Sequence, residues 1–191
     1  MTTTRLEAFS DAVIAIVITI LVLELKVPHE PELAALRELV PVFLSYVLSC
    51  VYLGIYWTNH HHLRVLTEHV NGAILWANLH LLFWLSLVPF TTGWMGENDF
   101  ARAPTAVYGV NLLLAAIAYF ILQTAIVAEE GHGSRLKAAL GRDLKGKVSP
   151  ALYVAGILLS LLQPWLGLTL YVFVALMWLV PDRRIASVVG E

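Results

Sequence analysis

The chain has 191 residues, of which 59% are hydrophobic and only 14% are charged, and its mean hydropathy is +0.75. Soluble domains carry about 25% charged residues, so this composition excludes an ordinary soluble protein and indicates an integral membrane protein. The formal net charge of −2 comes without a basic stripe, which argues against nucleic acid as a partner. With Cys50 as its single cysteine, the chain cannot form an intrachain disulfide.

Six segments are candidates for membrane-spanning helices, which need about 20 mostly apolar residues. In chain order they are predicted at Thr4–Lys26, Glu38–His62, Asn71–Trp94, Thr105–Ala128, Pro150–Gln163 and Leu166–Val180. The last two are short, and the Pro164 and Gly167 between or beside them favour a tight hairpin. The alternative is one long kinked helix, which leaves five spans. Either way, residues 1–191 are predicted to form a single all-α, polytopic membrane domain.

Basic residues predict the orientation of these helices. With six spans and an inner N-terminus, nine basic residues lie inside and three outside, as the positive-inside rule expects. The inner residues are Arg5, Arg64, Arg135, Lys137, Arg142, Lys145, Lys147, Arg183 and Arg184, and the outer residues are Lys26, Arg37 and Arg102. Both termini are then cytoplasmic, in a multi-pass protein of the plasma membrane. Five spans would move only Arg183 and Arg184 outside.

Charged and polar residues mark the start of the first helix. Thr4 and Glu7 fit a capping box, which predicts that the helix begins at Thr4. Arg5 and Asp11 are six residues apart and do not face each other on a helix, so their partners are expected on other helices. One interpretation is a buried polar cluster that locks the inner end of the helix, together with Ser10. The other is a solvated helix start among the lipid headgroups.

The rest of this helix, from Ala12 to Leu23, carries no charge. A helix that is apolar on every side is either lipid-exposed or buried all round. Helical spacing places four of its residues on one stripe: Ile16, Thr19, Ile20 and Leu23. In a monomer such a stripe is an ordinary packing surface. The hydroxyl of Thr19 is expected to bond back to the carbonyl of Ala15, four residues earlier.

Three consecutive histidines, His60, His61 and His62, close the second predicted helix. Successive helical residues point about 100° apart, so the three cannot converge on one metal ion, and we expect no metal site here. One or two of them, with Trp57, can instead hydrogen-bond the polar residues of the first helix. The remaining interpretation is that they are interfacial polar residues.

Further polar residues lie inside predicted spans, where buried groups need partners. Asn78 is an expected partner of Ser10 or Asp11. His80 is expected to be a hydrogen-bonded structural histidine, with pH sensing as the less favoured alternative. Gln123 is expected to join two helices through a hydrogen bond.

Several of these stretches resemble one known family. The motif Arg5-x-x-x-Phe9-Ser10-Asp11, followed by AVIAIVITILVLEL, resembles the hallmark of the lysosomal potassium channel family, transmembrane protein 175 and its bacterial homologues. The stretches YWTNHHHL and LWANLHLLFWLSLVPF are similar to the second and third helices of that family. The motifs cover about the first half of the chain, and topology extends the resemblance to the rest.

This resemblance implies a homotetrameric potassium channel in which the first helix of each subunit lines a central pore. Its motif, including Phe9, would lie at the cytoplasmic end. The family's constricting positions correspond to Ile16, Thr19 and Leu23, with Ile20 on the same stripe. Monovalent cations permeate such a channel, membrane lipids surround it, and it needs no cofactor. Glu24 would lie at the outer mouth, where pairing with Lys26 is the alternative.

Other functions remain as alternatives to the channel. A secondary transporter or proton-coupled carrier could use Asp11, Asn78 and His80, although such carriers often have paired repeats and broken helices that this sequence lacks. An enzyme is not expected, because the predicted spans contain no nucleophile–base pair, HExxH motif or paired carboxylates.

Overall fold

The protein is described by a computed structural model that covers residues 2–65, 67, 69–130 and 144–179. The all-α prediction is confirmed for these residues. The helices are α1 (Thr3–Leu23), a short 3₁₀ helix (Leu33–Arg37), α2 (Val40–Val65), α3 (Gly72–Ser86), α4 (Val88–Glu97), α5 (Arg102–Glu130), α6 (Leu144–Leu162) and α7 (Pro164–Leu179). Five stretches are long and apolar enough to cross a membrane, with α3 and α4 together forming one of them, and α7 is shorter.

Helix α1 differs from its prediction at both ends. It begins at Thr3 with Thr2 as its cap residue, and no side chain caps it, so the capping box at Thr4 is wrong. It ends at Leu23, three residues before the predicted end. The residue before a proline avoids the helical conformation, and Pro28 therefore keeps this segment from extending as a helix.

The third predicted span is divided into α3 and α4 at Leu87. Pro89 lies in the first turn of α4, where its missing N–H costs little because the first turn has unpaired donors in any case. At the other end, the Asn71 side chain caps α3 by accepting a hydrogen bond from the Ile74 backbone N–H at 2.9 Å. Together α3 and α4 form one 26-residue apolar stretch that is long enough to cross a membrane.

Helices α6 and α7 form the predicted hairpin, and the alternative of one long kinked helix is wrong. The Trp178 indole N–H donates to the Ser149 hydroxyl at 2.9 Å, so the end of α7 lies beside the start of α6. Near the turn, Gly167 approaches Ser160 so closely that a Cβ there would overlap the serine side chain. Antiparallel packing at both positions requires a chain reversal at Gln163.

Helix α6 begins earlier than predicted, at Leu144, so that Pro150 lies inside it. Residues 144–149, expected to belong to a cytoplasmic loop, are therefore helical. The other basic residues assigned to the inner side lie outside the described residues or have undescribed side chains: Arg64, Arg135, Lys137, Arg142, Arg183 and Arg184.

Helix α5 is central to the bundle and packs against α3, α4, α6 and α7, whereas α1 lies at the edge against α2, α3 and α4. The core between the helices is filled mainly by leucine, alanine and tyrosine side chains, including the fully buried Tyr108 and Tyr171. Because α1 has neighbours on one side only, its position depends on the contacts of that single face.

Candidate functional site

The two faces of α1 are both largely apolar, but only one is packed. The buried residues recur every three or four positions and form one face: Leu6, Ser10, Ile14, Val17 and Leu21. On the opposite side, Ile16 is 57% exposed, Ile20 38% and Leu23 79%. The stripe predicted from the sequence is therefore an exposed surface, which the other described residues do not cover.

A chain of hydrogen bonds fixes the buried face near the N-terminal end of α1. The Asn78 amide Nδ2 donates to the Ser10 hydroxyl at 2.9 Å, and that hydroxyl donates to the Leu6 carbonyl at 2.8 Å. On the other side of the amide, His60 Nε2 lies 2.8 Å from Asn78 Oδ1. A carbonyl oxygen can only accept, so His60 carries a proton on Nε2. Helices α1, α2 and α3 are thereby linked through groups that are almost fully buried.

Two contacts extend this chain toward the surface. The Trp57 indole N–H donates to Asp11 Oδ1 at 3.1 Å, and His61 Nδ1 lies 3.3 Å from Glu7 Oε1. Both contacts join α1 to α2, and both are partly exposed. We call Ser10, Asp11, Trp57, His60 and Asn78 the anchor cluster, because it attaches α1 to its two neighbouring helices.

Other motif residues are not brought into the anchor cluster. Arg5 is exposed and forms no ion pair with any described residue, so its predicted partner on another helix is not found among them. Phe9 is 48% exposed. Within the described residues, no group of three or more His, Cys, Asp or Glu side chains is arranged to hold a metal ion.

Thr19 lies on the exposed stripe and is satisfied locally. Its hydroxyl donates to the carbonyl of Ile16 at 2.7 Å, so the predicted acceptor Ala15 is wrong. The bond spans three residues instead of four. Since the hydroxyl proton is already committed, the lone pairs of Oγ1 remain on the exposed side of the helix.

Just after the C-terminal end of α1, Lys26 pairs with Glu97 of α4 at 2.7 Å, so the alternative in which Lys26 pairs with Glu24 is wrong. The hydrogen bond and the negative charge of Glu97 raise the pKa of Lys26 above its ordinary value of 10.5. Glu24 is exposed and lies beside Gly93, where it lines a groove with residues of α4.

Some polar contacts have no clear signal in the sequence. The Ser49 hydroxyl lies 2.6 Å from the Thr92 hydroxyl and 3.0 Å from the Tyr108 hydroxyl, which joins α2, α4 and α5. Polar residues within apolar spans are the available signal for such contacts. Their pairing was not predictable, because the three residues are far apart in sequence.

Two further polar residues have different outcomes. His80 is hydrogen-bonded, as predicted, although it is exposed: its Nε2 accepts from the Trp84 indole N–H at 2.9 Å on the same helix. Gln123 is buried, and its predicted interhelical hydrogen bond is not found among the described residues.

A bundle of long apolar helices whose buried polar groups bond to one another defines a polytopic helical membrane protein. Comparison with known proteins then gives the family. The family model described as "Endosomal/lysosomal potassium channel TMEM175" matches residues 5–89. The chain is 52% identical to a potassium channel of Chryseobacterium sp. (strain P1-3) over the full length of both, and 32% identical to a potassium channel of Chamaesiphon minutus over 86% of this chain and 87% of that one.

The solved structures agree with the sequence comparison. The crystal structure of a lysosomal potassium-selective channel TMEM175 homolog from Chamaesiphon minutus superposes with a TM-score of 0.83. It is 29% identical in sequence, and the match covers 94% of this chain and 97% of that one. The chain belongs to the TMEM175 family of potassium channels, as the Arg5–Asp11 motif indicated, and ion channels are not a class of enzyme.

Proposed function

We propose that this chain is one subunit of a homotetrameric potassium channel with modest selectivity for K⁺ over Na⁺, in which α1 lines the central pore. The observation that supports this function best is the exposed stripe of α1, which lies opposite the face held by the anchor cluster. Four copies arranged around one axis would cover the stripe and place it along the axis. The proposed subunit crosses the plasma membrane six times, with both termini in the cytoplasm and lipids around it.

Ile16 and Leu23 are proposed to constrict this pore. They lie seven residues apart on the exposed stripe, which is two helical turns or about 10 Å along the axis. A ring of four such side chains narrows the path and favours its dewetting, which stops ions at a low energetic cost to the protein. We therefore propose that the constrictions at Ile16 and Leu23 act by dewetting the pore.

Thr19 and Ile20, between the two constrictions, are proposed to set the ion preference. A helix bonds its own carbonyls internally, so α1 cannot offer the carbonyl cage used by filters of the TVGYG type. The Oγ1 lone pairs of four Thr19 side chains are the remaining polar groups at this level of the stripe. They are neutral and few, which accounts for the modest discrimination that we propose.

The anchor cluster is proposed to hold the architecture and not to bind permeant ions. Its buried members face α2 and α3, away from the stripe. Arg5 and Phe9 are exposed on the single chain and are available to neighbouring subunits at the cytoplasmic end. Glu24 is proposed to lie at the outer mouth, where four carboxylates would concentrate cations. No cofactor is required for this function, since the permeant ion is the only ligand.

The test combines oligomeric mass with single-channel recording. Purified protein should have the mass of a tetramer in detergent, and planar bilayers containing it should show unitary K⁺ currents with a reversal potential that favours K⁺ over Na⁺. A monomeric mass would exclude the pore. Slow, saturable transport without unitary steps would indicate a carrier instead.

A further inference from the structure

A cavity lies between the helices of the chain, on the side of α2 that faces away from the anchor cluster. Four helices contribute to its lining. The lining residues include Tyr52, Tyr56 and Asn59 of α2, Ala116, Tyr119 and Gln123 of α5, Ser149 and Tyr153 of α6, and Trp178 of α7. Trp57 and His61 point to another face of α2, toward α1. The cavity is therefore separate from the proposed pore, and an inference about it does not rest on the proposed function.

The cavity has room for a small molecule. The space open to the centres of water-sized molecules is about 50 Å³. Since one water needs about 10–15 Å³ of such space and fills about 30 Å³ of liquid, this corresponds to roughly three to five waters or one organic molecule of phenol size. Phe120, at the rim, is 56% exposed, so the cavity can be reached from the outer surface of the bundle.

The lining combines aromatic rings with polar groups that have no partner. Gln123 is 6% exposed and forms no hydrogen bond within the described ranges. The Tyr56 hydroxyl, on a residue that is 9% exposed, also lacks a hydrogen bond to the described chain. The Gln123 amide lies on the cavity wall, so a ligand with a polar end can form a hydrogen bond with it there.

Two other polar lining residues already have hydrogen-bond partners. The Ser149 hydroxyl accepts from Trp178 and donates to the Lys145 carbonyl, and the Tyr52 hydroxyl donates to the Tyr171 carbonyl. None of the described lining residues is Asp, Glu, Lys, Arg or His. A charged ligand would lose its hydration here without gaining a counter-charge, which is strongly unfavourable. The chemistry therefore selects a neutral molecule with an apolar body and one polar end.

We infer that this cavity is a binding site for a small neutral amphiphile, a phenol or an alcohol of similar size, whose hydroxyl bonds to the Gln123 amide while its ring or alkyl part packs among the tyrosines. The amide can both donate to and accept from a hydroxyl. Such molecules partition into membranes, and the exposed rim at Phe120 gives them a lateral route to the site.

The test measures binding of 4-fluorophenol to the full-length protein in lipid nanodiscs by fluorine NMR, with protein-free nanodiscs as the background. A saturable signal that unlabelled phenol displaces is expected. Fluorobenzene, which lacks the hydroxyl, should bind more weakly, and 4-fluorobenzylammonium, which is charged, should not bind.

Three variants place the signal in the cavity. Gln123→Leu keeps the size of the side chain and removes the amide, so it should weaken binding about two- to tenfold, as expected for one hydrogen bond. Ala116→Phe fills the space and should abolish saturable binding. Thr124→Val is the matched control, because Thr124 is an exposed neighbour whose hydroxyl bonds to the Ile121 carbonyl, and it should bind as the wild type does.

Equal affinity in the wild type and all three variants would overturn the inference, and so would a signal that never saturates, since both indicate partition into lipid. If Ala116→Phe does not fold, the contrast between Gln123→Leu and Thr124→Val decides the question alone. Binding is measured without ion current, so a failure of the proposed channel would not be mistaken for a failure of this site.

Discussion

The two faces of α1 differ little in hydrophobicity but greatly in how they are fixed. On the buried face, Ser10 is fully enclosed and hydrogen-bonded through Asn78 to His60, and Ile14 packs with 1% exposure. On the exposed face, Ile16 and Leu23 have no intrasubunit packing that covers them. The exposed face also carries a hydroxyl, at Thr19, but that group bonds to its own helix and to nothing else described.

The difference shows that buried polar groups, and not hydrophobicity, orient an apolar helix in a membrane. Lipid is as apolar as leucine, so hydrophobicity alone gives little preference for one rotation of the helix over another. A few buried polar groups that must find partners do give such a preference. The anchor cluster sets the rotation of α1, and the exposed stripe is the consequence.

The largest effect is expected from breaking the buried face with Asn78→Leu. This change removes both the acceptor of His60 Nε2 and the donor to Ser10. The Ser10 hydroxyl keeps its bond to the Leu6 carbonyl, but the buried His60 Nε2 is left unpaired, which costs about 1–3 kcal/mol. The thermal unfolding midpoint in detergent should fall by many degrees, with a lower yield of assembled protein. Ser86→Ala is the control, because Ser86 is an exposed residue of the same helix that bonds to its own Phe83 carbonyl. Equal midpoints for both variants would mean that the anchor cluster does not fix α1.

The exposed face is tested next with Ile16→Ala. If Ile16 narrows the pore, the smaller side chain should raise the unitary conductance severalfold and admit larger cations, with little loss of stability because the residue is 57% exposed. Val22→Ala is the matched control: Val22 is 48% exposed on α1 but lies off the stripe, so its conductance should stay unchanged. Identical currents in both variants would remove Ile16 from the pore.

A smaller effect is expected from Thr19→Val, which keeps the shape of the side chain and deletes its oxygen. If four Oγ1 atoms help to replace the hydration shell of K⁺, the K⁺/Na⁺ permeability ratio should fall about two- to tenfold, the range of one net hydrogen bond. Reversal potentials in mixed K⁺ and Na⁺ measure the change. Thr169→Val, an exposed threonine of α7 that bonds to the Trp165 carbonyl, serves as the control. An unchanged reversal potential would leave selectivity to pore width.

The smallest effect is expected beyond the C-terminal end of α1, where the exposed Lys26–Glu97 ion pair joins the segment after α1 to α4. Because the folded-state pKa of Lys26 is raised above 10.5, its contribution is fully present below pH 10.5 and is lost as the pH rises through the raised value. Lys26→Gln, Glu97→Gln and the double variant form a cycle that isolates the pair. The coupling should be near the limit of detection and weaken with added salt, as for other exposed pairs. A large Lys26–Glu97 coupling energy that persists in strong alkali would contradict this prediction.

Hydrogen-bond partners were predictable for polar residues inside apolar segments and were not predictable for charged residues near helix ends. Asn78 is a polar residue in a long apolar segment, so a search for its partner reduces to a few polar residues on other helices. Arg5 and Glu24 lie near helix ends, where solvent and several neighbours compete for a charge, and spacing alone does not choose among them. The exact acceptor of Thr19 depended on a difference of one residue in the helical turn.

By itself the sequence determined that this protein is a bundle of apolar helices in a membrane, that a hairpin near Gln163 is favoured over one kinked helix, and that the motif from Arg5 to Asp11 marks a potassium channel family. Hydrophobic length, proline and glycine act within a few residues and are readable one segment at a time. Only the tertiary structure decided which face of α1 is buried, that α3 is broken from α4 at Leu87, and that Gln123 lines a cavity. Those features depend on helices that are distant in sequence and close in space. Helix α1 is apolar on every side, so its own sequence does not specify which side the other helices cover.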